Sequence, residues 1–336
     1  MKHRNDTIRG FLFIAPVLIL LLTFSLYPLL CTVYYSFFNI SLASINKLKP
    51  AGWGNYIKLF TRTSPEFFSQ ILPATFIYVA GSVIGQIGFG LILALLLNQK
   101  FLKGREIFRA IIILPWVVSS IIIAISWRFM YEPRLGIINH ILLLLGINSP
   151  PTWLNDEKLV MPCLIVANIW HGMPFSFIIQ TSGLQSISED VIEAATVDGA
   201  TGPQKLRYIT LPLIRQFLVL NLILTSMNTI NSFDLIYAMT NGGPLYRTEV
   251  ISVYMYHRAF NFGYLGEGSA ISTIIFLINF VLTIFYMQIN RNRERSNHAQ
   301  GNFDRQNHDI SLYFYLDNFY NLSVILVAQL HFQTYI

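Results

Sequence analysis

Long apolar runs, rather than alternating ones, organise this sequence. Segments 11–37, 73–97, 107–129, 160–181, 213–238 and 268–289 each have the roughly 20 mostly apolar residues that a helix needs to cross the hydrocarbon core of a bilayer. Only helices or closed barrels satisfy the backbone in lipid, and continuous runs select helices. The predicted fold class is an all-α integral membrane protein with six transmembrane helices. The first run is too long for the h-region of a signal peptide and lacks a small-residue cleavage site. Leu30 before Cys31 is equally unsuited to a lipoprotein signal, so this run is expected to be a retained span.

Basic residues near span ends orient such a chain. With the N-terminus inside, the cytoplasmic pieces carry Lys2, Arg4, Arg9, Lys100, Lys103, Arg105, Arg109, Lys205, Arg207, Arg215, Arg291, Arg293 and Arg295. The longer outer loops carry Lys47, Lys49, Lys58, Arg62, Arg134, Lys158, Arg247 and Arg258. The larger group predicts both termini in the cytoplasm, and an even number of spans requires them on one side.

Composition narrows the classes further. Of 336 residues, 12% are charged and 54% hydrophobic, and mean hydropathy is +0.51. Soluble domains run at about 25% charged, so a soluble particle, a disordered chain and a coiled coil are all excluded. The net charge of +6 reflects 17 acids against 23 bases, a shortage of acids rather than a basic patch, which argues against nucleic acid. Cys31 and Cys163 lie in apolar runs without metal or disulfide spacing, so no metal or other cofactor is implied.

The loops hold smaller signals. Gly136–Gly146 is too short to span and reads as an interfacial or re-entrant helix. Trp53, Tyr56, Trp153 and Tyr264 stand where an aromatic belt would lie. Gly81 and Gly85 form a GxxxG in span two, with Gly88 one turn on. They predict a close helix crossing or simply reflect the abundance of glycine in membrane helices.

The stretch 188–212, between spans four and five, is the most informative. Ser188 is a candidate N-cap, and Glu189 and Asp190 suit the positive end of a helix. That helix should end near Val197, with Gly199 taking a left-handed turn. Thr201, Gly202 and Pro203 should open a second short helix. Small Ala194 and Ala195 would let another backbone approach closely. A compact connector that only turns the chain is the alternative.

Glu193, Ala194, Ala195, Gly199, Ile209, Leu211 and Pro212 reproduce the spacing Glu-Ala-Ala, three residues, Gly, nine residues, Ile-x-Leu-Pro. This resembles the EAA loop of permease subunits of binding-protein-dependent ABC importers. Gly54-Asn55-Tyr56, Leu135–Asn139 and Asn241–Pro244 are similar to the carbohydrate branch, in particular the maltose/lactose/glycerol-3-phosphate first-permease group. The likeness covers roughly residues 8–292. It implies a cytoplasmic coupling loop that docks on a dimer of ATP-binding subunits. It further implies a second related permease, an extracytoplasmic solute-binding protein, a sugar or polyol substrate, and residence in the cell membrane among its lipids. The domain division that follows is a six-span importer domain over 1–295 and an atypical tail over 296–336. The tail is polar to Asp309 and apolar after it, with Asp317, Asn318 and Asn321 arguing against a seventh span. An interfacial segment and an altered reading frame both fit it.

Two polar stripes are candidates for the substrate path. Span five carries Asn221, Thr225, Asn228, Thr229 and Ser232, and span four Asn168, His171, Gly172 and Phe175, each at helical spacing. Such groups are costly against lipid and should face the bundle interior. Hydroxyls and amides beside aromatic rings suit a neutral polyol, and the resemblance points to the same parts of both helices. Interhelical hydrogen bonds that fasten the bundle are the alternative, at about 0.6–2 kcal/mol each. An ion-coupled carrier would need intramembrane relays, whereas Asp234 is one acid with no evident partner. His171 lacks the company a catalytic histidine requires. No GxxxxGK[ST] occurs, so energy is expected from a partner that hydrolyses ATP.

Overall fold

The computed structural model describes residues 15–44, 48–99 and 103–300, with side chains as far as Tyr286 and at Gln288. Its helices are α1 (Ala15–Tyr35), α2 (Gly54–Thr61), α3 (Phe67–Leu97), α4 (Arg105–Val117), α5 (Ser120–Met130), α6 (Ile137–Leu144), α7 (Val160–Gln185), α8 (Glu189–Val197), α9 (Gly202–Leu213), α10 (Arg215–Ile230), α11 (Asp234–Thr240), α12 (Ile251–Tyr256) and α13 (Leu265–Gln300). A two-residue strand β1 (Phe38–Asn39) pairs antiparallel with β2 (Lys49–Pro50).

Among the described residues, α1, α3, α7 and α13 are long and apolar enough to cross a membrane. The pairs α4 with α5 and α9 with α10 raise the number to six if each counts as one span. Spans three and five are therefore not the continuous helices that hydropathy predicts. Helices α4 and α5 meet at 96°. Span five, which α9 enters at a 67° bend, breaks again between the end of α10 at Ile230 and the start of α11 at Asp234. The bend after α4 follows Pro115, where Val118 and Ser119 are extended at ψ 139° and 136°. Lys2, Arg4, Arg9, Lys47 and Lys100 lie outside the described residues, as does the tail beyond residue 300.

Wider turns mark three of the prolines. Five-residue π segments at Leu22–Leu26, Phe67–Ile71 and Leu206–Thr210 come just before Pro28, Pro73 and Pro212. A proline has no N–H and its ring collides with the carbonyl four residues back. In each case that carbonyl belongs to the middle of the π segment, where the looser winding relieves the collision.

The chain forms two compact units. The first contains the described residues up to Leu59, residues 255–280 and residues 287–300. Here Asn55 of the Gly-Asn-Tyr motif donates to the carbonyls of Ser36 and Phe38 at 2.8 and 2.9 Å, closing the turn after α1 onto α2. Tyr56 adds a hydroxyl bond to Ser36 at 2.8 Å. Arg258 is buried between the rings of Phe262 and Tyr264, 5.0 and 4.8 Å away, and pairs with Glu267 through Nε at 2.9 Å and Nη2 at 2.5 Å. A buried charge left without such partners would be costly.

The second unit, Phe60–Tyr254 with Val281–Tyr286, holds the candidate site. One core gathers Tyr78, Ile123, Leu164, Leu235, Ile236 and Val253. A second joins Ala94, Leu97, Phe177, Leu184 and Ile214. Helices α3 and α7 cross closely through glycines. Gly81 and Gly85 face Ile165 and Ile169. Gly88 meets nothing; Gly90 makes the tightest backbone approach, where a β-carbon would lie 3.0 Å from the Phe177 nitrogen. The close crossing is present, with Gly90 in the place that spacing gave to Gly88.

Two further loop motifs prove to build loops. Asn139 holds the carbonyls of Pro133 and Pro151 at 3.0 and 3.3 Å and accepts the Trp153 indole N–H at 2.6 Å, fastening α6 to the chain that follows. Asn241 ends α11 in the left-handed conformation at φ 50°. Thr248 then bonds Gly243 through its hydroxyl at 2.6 Å.

Candidate functional site

Helices α8 and α9 form a short hairpin whose shape follows from local chemistry. Ser188 precedes α8 in extended conformation at ψ 136°. At the other end Gly199 takes φ +78°, which only glycine adopts at low steric cost. The Ala200 amide returns to the Ala195 carbonyl at 2.9 Å, closing the helix end. Thr201 and Gln204 form a reciprocal capping box at the start of α9, with Pro203 in its first turn. Lys205 bridges back to the Thr196 hydroxyl at 3.0 Å, so the two helices are tied by a side-chain bond as well as by the turn.

This hairpin presents an uncovered face. Ala195 is buried, whereas Glu193, Ala194, Val197 and Gly199 are exposed, Val197 to 88%. Ile209 and Leu211 are half-buried and Pro212 is exposed, at the point where α9 leads into α10. The small Ala194 and the apolar Val197 both stand on that exposed face.

The polar stripes separate into two kinds of position. Asn221, at the centre of one group, is fully buried, and its side-chain oxygen accepts the hydroxyls of Ser176 at 3.1 Å and Thr225 at 2.9 Å. Asn168 is buried too; Gln86 from α3 donates to its backbone oxygen at 3.2 Å and packs against Gly172. Gln180 reaches the Ile87 carbonyl at 3.1 Å. These contacts join α3, α7 and α10 in a polar seam. Gln86, Ser176 and Gln180 were missed by spacing within single helices. A glutamine facing a glycine at matching depth on another span was the signal available.

The other positions are more open. Asn228 is exposed, although the stripe predicts an interior place for it, while Thr229 beside it is buried at 4%. Ser232 is half-buried and shares a hydrogen bond with Tyr78 at 3.3 Å. His171 and Phe175 turn toward span three. His171 Nδ1 lies 3.1 Å from the Pro115 carbonyl, which can only accept, so the ring proton in this contact sits on Nδ1. Phe175 meets the Trp116 ring at 5.8 Å. Asp234 is not without a partner: Ser120 donates to its carboxylate at 3.1 Å.

Comparison with known proteins agrees with this architecture. Residues 86–295 match the family described as the binding-protein-dependent transport system inner membrane component. The trehalose/maltose transport system permease protein MalF of Thermococcus litoralis is 35% identical over 294 residues, covering 87% of this chain and 97% of its own. The sulfoquinovosyl glycerol transport system permease protein SmoG of Agrobacterium fabrum is 32% identical over 292 residues, covering 86% and 92%. A chain of a bacterial ABC transporter involved in the import of the acidic polysaccharide alginate shares the fold. Its TM-score is 0.74 at 24% identity, with 87% of this chain and 99% of that one covered. These matches favour an importer subunit over an ion-coupled carrier. This multi-pass membrane chain belongs to the family of inner membrane components of binding-protein-dependent transport systems.

Proposed function

We propose that the chain is the permease subunit of an ABC importer that moves a sugar or related polyol across the cell membrane, driven by ATP hydrolysed on a partner subunit. The observation that carries this reading is the α8–α9 hairpin: a rigid, exposed helix pair with the full Glu-Ala-Ala to Leu-Pro pattern inside the family-matched region. The relatives' names support a carbohydrate cargo, and polar side chains without countercharge suit one.

In this reading Glu193, Ala194, Ala195, Gly199, Ile209, Leu211 and Pro212 meet an ATP-binding subunit dimer on the cytoplasmic side. Both termini lie on that side, as the basic residues near span ends favour. Asn228 and Ser232, with Thr229 behind them, border the substrate path on α10 and its continuation. The exposure of Asn228 in the single chain fits a path shared with a second, related permease. Asn168, Gly172 and Thr225 support that wall from the buried seam, and His171 and Phe175 border it beside Pro115 and Trp116. An extracytoplasmic solute-binding protein delivers the cargo.

Uptake into membrane vesicles tests the reading. Sugar uptake should require ATP and the binding protein and persist when proton and sodium gradients are collapsed. Uptake that follows a gradient without ATP would refute it. For the orientation, a cysteine at Gln204 should resist a membrane-impermeant reagent in intact cells, while one at Tyr246 should react.

A further inference from the structure

Asp234 is the acid that hydropathy puts inside a span, and its neighbours give it a role other than proton relay. Spans three and five are both interrupted, and each resumes with a helix that begins at one member of a single hydrogen bond. Helix α5 starts at Ser120 after the extended residues Val118 and Ser119. Helix α11 starts at Asp234 after α10 ends at Ile230. Such breaks strand backbone amides and carbonyls, and at membrane depth these survive only where protein or water supplies partners.

The partners come from neighbouring spans. His171 takes up the Pro115 carbonyl near the end of α4. The Asp234 carboxylate accepts the Ser120 hydroxyl at 3.1 Å, which brings its negative charge to the first turn of α5 as well as to the first turn of α11. The N-terminus of α5, an eleven-residue helix with no acid of its own in its first turn, favours an anion there. From that point α11 packs along α5. Near the far end of α5, Arg128 donates to the Ala238 carbonyl at 3.4 Å. Ile123 and Ala124 on one helix and Leu235, Ile236 and Met239 on the other share one buried core. The pair is thus fastened at both ends and packed between them.

We propose that Asp234 is a positioning residue that ties α11 to α5 through Ser120, so that the parts of spans three and five beyond their breaks move as one body during transport. The proposal rests on the importer reading for its readout. It gives the intramembrane acid a structural role and requires no proton movement.

The test compares S120A, D234A, D234N and S120A/D234A in the assembled complex, reading sugar uptake and binding-protein-stimulated ATP hydrolysis together. S120A and D234A should each lower uptake per ATP by about tenfold, the scale of one lost hydrogen bond to a charged group. The double variant should fall no further than D234A. D234N keeps an acceptor oxygen and should recover uptake to within about threefold of the unmodified protein. Losses that multiply in the double variant would overturn the proposal, as would a D234N as inactive as D234A. If D234A fails to assemble, S120A decides: unchanged uptake per ATP would refute the link. Uptake by the unmodified complex that needs no ATP would count against the importer reading instead.

Discussion

Ser176 on α7 donates a hydrogen bond to the Asn221 side-chain oxygen on α10 at 3.1 Å, with both residues fully buried. Thr225 reaches the same oxygen from the next turn of α10. The contact fastens two spans and so bears on stability before transport. Asn221→Ala would leave two buried hydroxyls without their acceptor, at a cost of about 1–3 kcal/mol. Ser176→Ala removes one donor and should cost about 0.5–1.5 kcal/mol. Thermal unfolding of the purified complex in detergent should show the larger loss for Asn221→Ala, with substrate preference unchanged in whatever assembles. An altered preference at normal stability would make Asn221 a direct substrate ligand.

Asn228 and Thr229 are adjacent and should behave differently. Asn228 is exposed, so Asn228→Leu should leave assembly and unfolding temperature within about 0.5 kcal/mol of the unmodified protein while lowering transport or changing the preferred sugar. Thr229 is buried, and Thr229→Leu inserts volume into a packed site, which costs about 1–3 kcal/mol. Uptake measured across a panel of sugars, beside complex yield, separates the two. Normal transport in Asn228→Leu would place the path largely outside this chain.

Gly90 and Gly88 provide a matched pair on α3. A methyl group at Gly90 would press on the Ser176 β-carbon at 2.8 Å and on the Phe177 backbone nitrogen at 3.0 Å, neither the end of a flexible chain. Gly90→Ala should therefore separate α3 from α7 and destabilise the protein by about 1–3 kcal/mol. At Gly88 nothing lies within 4 Å, and Gly88→Ala should be neutral or slightly stabilising, because alanine is the better helix former. Complex yield and unfolding temperature for the two variants check this.

The spans were legible because apolar length is a property of the chain alone. Their interruptions were not, since Pro115, Val118 and Ser119 sit inside an apolar run that hydropathy averages over. The available signal was chemical: Pro115, then Trp116 and two valines, then Ser119-Ser120, which together read as a helix end followed by an N-cap. The α8–α9 hairpin was legible in detail because Gly199, Thr201 and Pro203 act on their own backbone. Burial of the polar stripe was less so. Asn221 and Asn228 share a face two turns apart, and their different exposure depends on which neighbouring spans reach each level. Partner geometry likewise moved the close glycine contact from Gly88 to Gly90. The loop asparagines Asn55, Asn139 and Asn241 entered as marks of resemblance. Their hydrogen bonds and backbone conformations identify them as loop builders.

Gly199→Val bears hardest on the account as a whole, because it alters the hairpin turn without touching either polar stripe. A β-branched residue at φ +78° is strained, so the exposed face of α8 should no longer stand correctly against α9. In complexes purified with the ATP-binding subunits and supplied with loaded binding protein, the measurement is sugar uptake together with ATP hydrolysis. The expected result is an assembled complex in which uptake falls by at least about tenfold and hydrolysis no longer responds to the binding protein. Uptake and stimulated hydrolysis at unmodified levels, with the same outcome in Glu193→Arg, would show that the hairpin only connects two spans and would contradict the coupling role.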